Sequence, residues 1–536
     1  MISNFKEIDH CPVKHVIYKS IYNGLIAEDK VIADCAEEIG QQILSNMDGK
    51  SVKCPLSRRS RVVTLASRAD LSIDNDVVVV SPQLLFQRLV TLAQTRTPQE
   101  IQNIIGKYEL STFPASLFYG SGMPLSSQKS QLARYIRTFA SEAVAMTPND
   151  ARYVVDGGSL LHKINTWPQG ATYGEILGIY CDFVTRHYGT GTTVVFDGYG
   201  TTPTTKTITH QKRNSGCNKH RSVNIALNLQ IHTTNTTSFL AAPQNKAQLI
   251  CLLQERLQTA GVSVQQAAGD ADWKIVQQAL NTAMEIPCIL VGDDTDLLVM
   301  LLHHTDSSHR QIYMHTSDRA QPMLHIQDLQ SRLGADTCSN ILFAHAFTGC
   351  DATSRLHGIG KTAALRKLKN PEFLKIAEIF GRPSSTKQDI EKAGEEAVAI
   401  LYGGKPGEEL HTLRYKKYAQ KVAKGTMAIA AKDLPPTSSA ARYHALRVNL
   451  QCREWNGAAG DPQDWGWKIQ GDTIFPHYSN LPPAPDQLLK IIRCKCMAGC
   501  FGRCSCRKYG LHCTPSCECS VTCQNQNTVS QEREYE

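Results

Sequence analysis

No stretch of this chain reaches eighteen uninterrupted apolar residues, and its first ten, MISNFKEIDH, lack the charged-then-apolar order of a secretory leader. Neither a membrane span nor export is expected, which predicts a protein of the cell interior with no membrane partner. Charge of one sign is scarce as well. Lysine and arginine number 57 against 49 acids, a net +8 over 536 residues, so any grip on a polyanion must come from local clusters. With 42% hydrophobic and 20% charged residues, disorder is excluded as a general description and a large core is expected. Length alone suggests roughly two to four domains, at about 150 residues each.

Cysteine is sparse over most of the chain. Ten of the nineteen are scattered singly from Cys11 to Cys452, and nine crowd between Cys494 and Cys523. A disulfide scaffold would be short and dense throughout, so this segregation reads as a metal cluster on a reduced protein. The tail, IIRCKCMAGCFGRCSCRKYGLHCTPSCECSVTCQNQ, has too few apolar side chains for a core of its own. Metal must supply its stability, as zinc thiolate sites do in other small domains. Three separate tetrahedral ions would need twelve ligands. The nine thiolates of Cys494, Cys496, Cys500, Cys504, Cys506, Cys513, Cys517, Cys519 and Cys523 suffice if three sulfurs bridge, which predicts about three Zn²⁺.

Residues 1–148 carry helical patterns and no chemical motif. From about residue 150 the texture changes to short β-branched runs, RYVVDGG, TTVVFDGYG and PCILVGDD, each ending in Asp and followed by helix-like sequence. Alternating β and α predicts a mainly parallel sheet in an α/β fold. In such sheets the functional crevice lies beyond the carboxyl ends of the strands. Asp156, Asp197 and the Asp293–Asp296 group fall at such ends, although a single Asp there is as readily a helix N-cap.

Further along, GDADWKIVQQAL sets Asp270 and Asp272 at a helix start, and TGCDATSRLHGIGKTAALRKL sets Asp351 before a Gly358-Ile359-Gly360 turn and a basic helix. Two unit charges ~4 Å apart repel by about 4 kcal/mol at an effective dielectric of ~20. A hard cation with oxygen ligands, Mg²⁺ or Mn²⁺, relieves that repulsion, so the acids read as a metal cradle.

In this order the motifs VVDGG, VVFDGYG, GDADW, GDDTDLL and TGCDATSRLHGIGKTAAL resemble the flap endonuclease family of structure-specific nucleases, over about 150–375. The resemblance implies a PIN-like three-layer fold with a helix-turn-helix element that grips duplex DNA. It also implies hydrolysis of phosphodiester bonds near about two Mg²⁺ or Mn²⁺ ions. Carried over position by position, the acidic site comprises Asp156, Asp197, Asp270, Asp272, Asp294, Asp296 and Asp351. Of these, Asp270, Asp272, Asp294 and Asp296 are the nearest metal ligands and the others act through water. Asp293 receives no role. Lys206, Lys212 and Arg213 fall where the family orients the scissile phosphate, and Gly358, Gly360 and Lys361 where it holds the duplex backbone.

Three departures stand out. The acid pair is Asp-Ala-Asp where the family has glutamates, about 148 residues precede the motifs, and residues 199–245 are rich in Thr and Asn where the family has a charged arch.

The cysteine spacing resembles the tesmin-type CXC domain, which binds zinc and commonly DNA. Arg493, Lys495, Arg503, Arg507 and Lys508 against Glu518 leave residues 491–523 at +4, and with Tyr509 they suit phosphate or minor-groove contacts. The expected organisation is a helical accessory region (1–148), a nuclease domain (149–375), a helical extension (376–484), the CXC zinc module (485–525) and a short tail (526–536). A nuclease acting on DNA, with RNA as the alternative substrate and the nucleus as the location, is the leading reading. Its rival is a non-catalytic DNA-binding or chromatin protein that retains the scaffold, with a mobile-element origin left open by the residues.

Overall fold

The β-branched runs after residue 150 form strands, and their lengths match what a parallel sheet buried on both faces needs. In the computed structural model, residues 98–140, 150–198, 222–316, 322–423, 429–458, 460–470 and 473–485 are described, with the backbones of 69–73 and 76–80 and single residues elsewhere, several of them in the cysteine tail.

The central strands are β3 (Arg152–Asp156), β4 (Thr193–Phe196), β5 (Ser263–Gln266), β6 (Cys288–Val291), β7 (Ile312–His315) and β8 (Leu324–His325). They form one sheet in the order β5-β4-β3-β6-β7-β8. Every pair is parallel except β7 with β8. The fold is mixed α/β around a mainly parallel sheet, the class that the sequence predicts. All residues of β4 and β6 are buried, whereas β5, at the edge, is polar and half-exposed, as an edge strand should be.

Side chains alternate across the sheet. Val154, Leu290 and Met314 join one core with the helices α7 (Asp272–Ala283), α8 (Thr295–His304) and α10 (Ala335–Phe347). Val155, Ile289, Val291 and Tyr313 face a second core with α3 (Gly157–Lys163), α4 (Tyr173–Tyr188) and α6 (Pro243–Thr259). Three layers result. Leu297 to Leu302 are all buried, so α8 is apolar on every side and runs through the first core. The aliphatic run after GDDTD is therefore a core helix.

The chain visits β4 and β5 on one side of β3, then returns to β6, β7 and β8 on the other. That reversal is a topological switch point, and it lies between β3 and β6, whose carboxyl ends carry Asp156 and Asp293 to Asp296.

Residues 98–140 share the first core. Leu132 and Ile136 of α2 (Lys129–Arg137) are buried in it, and α2 packs against α8 and against α11 (Lys361–Lys367). The preceding helix, α1 (Pro98–Lys107), is tied to α14 (Leu410–Ala423) by the fully buried Arg414, which donates to the carbonyls of Ile105, Tyr108, Glu109 and Pro435. The helices α13 (Lys387–Leu401) and α15 (Ser438–Glu454) also close over this core. Within 1–148 the structure adds an antiparallel hairpin, β1 (Ala69–Ile73) with β2 (Asp76–Val80), where the sequence reads as helical. Four consecutive valines favour the strand there. Among the described residues no helix is long and apolar enough to cross a membrane.

Candidate metal centre

Three strand ends deliver the acids. Asp156 closes β3 and caps α3, its Oδ1 accepting from the Gly158 amide at 2.8 Å. Asp197 follows β4 and accepts from the Ala271 amide at 3.1 Å, with Lys246 Nζ 4.0 Å away. A Cβ on Gly158 would stand 3.2 Å from Asp156 Oδ1 and 3.7 Å from Asp197 Oδ2, so the two carboxylates converge over that residue. Asp294 follows β6 and caps α8, accepting from the Asp296 amide at 2.9 Å. Capping fixes these side chains without a metal, because the carboxylate satisfies amides that the helix start leaves open.

Asp351 arrives from elsewhere. It follows the carboxyl end of α10, where Gly349 takes φ +97° and a Cβ would lie 2.6 Å from the Arg355 amide. Only glycine makes that turn without strain. It brings Asp351 to Asp294 and Asp296, and the ligand atoms of the three lie within 4.8 Å of one another.

Lys129, the first residue of α2, enters this group. Its Nζ is 3.3 Å from Asp294 Oδ1, 2.8 Å from Asp296 Oδ2 and 2.9 Å from Asp351 Oδ2. Burial works against its charge, but Asp296, Asp294 and Asp351 outweigh that and raise its pKa. On the far side, His345 Nε2 lies 2.7 Å from Asp296 Oδ1, and Lys361 Nζ lies 2.8 Å from His345 Nδ1 and 2.7 Å from the His345 carbonyl. Burial, then the Lys361 and Lys129 charges, hold the His345 pKa well below its ordinary value, so the ring is neutral. A neutral ring that accepts at Nδ1 donates from Nε2, which orders the chain from Lys361 through His345 to Asp296. Burial lowers the Lys361 pKa to about 7.

The remaining acids are shifted by the same causes. Burial first, then Asp197, push Asp156 up to about 6, against the amides of Ser159 and Gly158. Burial and Asp296 also raise Asp294, against the Lys129 charge. Asp156, Asp293, Asp294 and Asp351 line one cleft of about 560 Å³ with Lys129, Ser159, His162 and Lys163. Asp293 accepts from Ser159 Oγ at 3.0 Å, which ties the turn after β6 to α3.

Of the seven acids named from the sequence, the structure gathers Asp294, Asp296 and Asp351 most tightly, with Asp156 in the same cleft and Asp197 facing it. Asp270 accepts from the Asp272 amide at 3.0 Å, and both stand outside the close trio. Gly358 takes φ +77° and Gly360 caps α11, as a tight turn between helices requires. Lys361 is only 4% exposed and turns inward to His345, so in this conformation its amine does not meet a backbone phosphate. Lys206, Lys212 and Arg213 lie outside the described residues. Lys129 and His345 carry no sequence signal: one is a lysine in a stretch without motif, the other a histidine on the apolar helix α10.

In the tail, the sulfurs of Cys494, Cys496, Cys500 and Cys504 lie within 4.8 Å of one another, and so do those of Cys500, Cys519 and Cys523. Cys500 belongs to both groups, the position that a bridging sulfur takes, and these thiols suit zinc. Cys506, Arg507, Lys508, Tyr509, Cys513 and Cys517 lie outside the described residues. The carboxylate trio, in turn, offers the all-oxygen donors that a hard divalent cation takes.

Residues 1–109 match a sequence family described as Domain of unknown function (DUF8702). No curated protein matches the chain. Among solved structures, the catalytic core of Rad2 in complex with DNA substrate is similar at 16% identity and a TM-score of 0.30, over 56% of this chain and 79% of that one. The T5 D15 protein co-crystallised with metal ions is similar at 13% identity and 0.29, over 58% and 100%. The Holliday junction-resolving enzyme GEN1 with product DNA and Mg²⁺ is similar at 13% identity and 0.29, over 64% of each chain.

Proposed function

We propose that this chain is a divalent-metal-dependent nuclease that hydrolyses phosphodiester bonds in DNA. The observation that carries the reading is the meeting of Asp294, Asp296 and Asp351 at the switch point of a mainly parallel sheet, with Asp156 in the same cleft. Asp294, Asp296 and Asp351 hold the ions, Mg²⁺ or Mn²⁺ and about two in number by the family resemblance. Bound there, the ions would activate a water and neutralise the leaving oxygen.

The protein groups do the rest. Asp156 and Asp197 hold water beside the cluster, Asp270 and Asp272 border it from the start of α7, and His345 keeps Asp296 oriented. The turn through Gly358 and Gly360 meets the duplex backbone, and by the family resemblance Lys206, Lys212 and Arg213 are the residues that orient the scissile phosphate. The tail, 485–525, holds about three zinc ions through its nine cysteines and adds DNA affinity through Arg507, Lys508 and Tyr509. Residues 1–148 are the accessory region, 149–375 the nuclease domain and 376–484 its helical extension, in a protein that works on DNA in the nucleus.

The test is to incubate purified protein with labelled flap, nicked, hairpin and single-stranded DNA, and matching RNA, in Mg²⁺ or Mn²⁺, beside an Asp294→Asn/Asp296→Asn variant. Cleavage of DNA by the wild type and a loss of at least about a hundredfold in the variant are expected, since each stage relies on metal-borne charge worth several kcal/mol. Equal products from both proteins would sink the reading. One observation favours a second reading, a DNA-binding protein whose nuclease scaffold is silent: Lys129 already places a positive charge among the three carboxylates.

A further inference from the structure

Lys129 stands at the first position of α2, where a positive charge opposes the helix dipole, and Gln128 before it supplies no side-chain cap. Its own helix therefore gives no reason for a lysine there. The reason lies on other elements, in the three carboxylates that its Nζ reaches at 3.3, 2.8 and 2.9 Å. The ammonium fills the space between the same oxygens that a divalent ion would use.

Asp296 makes the conflict specific. Both of its oxygens are engaged, Oδ1 by His345 at 2.7 Å and Oδ2 by Lys129 at 2.8 Å. His345 has no freedom to withdraw: it is fully buried, stacks on Trp455 with ring centroids 5.4 Å apart, and is held from behind by Lys361 at 2.8 Å. Lys129 lines the open cleft on a flexible four-carbon stem, with 17% of its side chain exposed. Of the two donors, only the lysine can leave.

We propose that Lys129 is a built-in occupant of the divalent-ion position and that a metal ion binds by displacing its ammonium into the cleft. The inference rests on the metal-centre reading above and says how that centre is controlled. A tethered cation competes at the effective concentration its tether sets, so the ion must outbid a competitor that is always present. Without an ion the lysine offsets part of the carboxylates' negative charge and lessens the repulsion among Asp294, Asp296 and Asp351. With an ion bound, its ammonium is released at the edge of the cleft, close to where a phosphate substrate would lie.

The experiment titrates metal-stripped, full-length wild type and a Lys129→Met variant with Mn²⁺ by calorimetry, with Asp294→Asn/Asp296→Asn protein as the blank for ions bound elsewhere. Affinity at least tenfold tighter in Lys129→Met, and a larger rise in its melting temperature on adding Mn²⁺, are expected. Equal or weaker affinity in the variant overturns the displacement and leaves the metal centre standing. No Mn²⁺ uptake above the blank by either protein overturns both. A measurement on the wild type alone covers a variant that folds poorly: an amine-reactive label read by mass spectrometry, with and without Mn²⁺. Labelling of Lys129 should rise several-fold with the ion, while Lys375, whose side chain is 70% exposed, stays constant. Unchanged or reduced labelling of Lys129 means that it does not move aside, and the proposal falls.

Discussion

Asp156 is the acid whose surroundings are most clearly expressed as proton affinity. Burial and the neighbouring Asp197 lift it from an ordinary 3.8 to about 6. A raised carboxyl pKa means that the folded chain keeps a proton the unfolded chain has released, so this group's contribution to stability is present at low pH and lost as pH rises from 3.8 to about 6. In metal-stripped protein, Asp156→Asn should flatten the difference in urea-unfolding free energy between pH 4.5 and 7 by on the order of 1–2 kcal/mol. An unchanged difference would show that the carboxyl is not held against Asp197 as the geometry has it. The acids could be picked out of the sequence because each sits in a local motif, a strand end or helix start for six of them and the stretch before the Gly-Ile-Gly turn for Asp351. Lys129 could not, since the residues it meets, Asp294 and Asp296, lie 165 and 167 positions away and share no pattern with it.

The elements that aim the acids are short, and one glycine shows how closely they are set. The Gly198 amide donates to the Gly269 carbonyl at 2.8 Å, which lashes the loop carrying Asp197 to the one carrying Asp270. A Cβ on Gly198 would come 2.2 Å from the Ala267 carbonyl oxygen and 2.5 Å from that of Ala268, both backbone atoms that cannot swing away. Gly198→Ala should therefore cost about 1–3 kcal/mol in thermal unfolding and lower metal-dependent cleavage through the displaced Asp197. A change within about 0.5 kcal/mol, the range of an ordinary surface substitution, would mean that the loops have slack. Strands β3, β4 and β6 and helices α7 and α8 are readable from hydrophobic pattern because both faces of the sheet are covered. The hairpin β1–β2 is not, as its valines stand among segments of helical period.

At the scale of the whole molecule, the described residues show a sheet with one core on each face, while Cys494, Cys500, Cys504 and Cys523 pack as a separate small cluster. If the tail holds zinc and binds DNA as proposed, chelation should leave the main thermal transition in place while weakening DNA binding, by roughly tenfold if the +4 tail contributes a few phosphate contacts at moderate salt. Elemental analysis before chelation should find about three zinc ions per chain if three of the nine sulfurs bridge. A tail that stays folded without metal, or a main transition that collapses with the zinc, would contradict this division.

Local chemistry was enough to place much of this protein. Strand ends rich in Asp, a helix opened by Asp-x-Asp, a Gly-Ile-Gly turn and a block of cysteines are all set by residues within a few positions of one another, and such patterns survive in a linear text. The tertiary structure alone decided which acids meet. Asp351 joins Asp294 and Asp296 because Gly349 turns the chain back toward β6, while Asp270 and Asp272 remain at the start of α7. It also decided that Lys361 turns inward to His345 and that Lys129 enters the carboxylate cluster. Those outcomes depend on how helices distant in sequence pack over one sheet, and packing is a property of the closed core that no local pattern records.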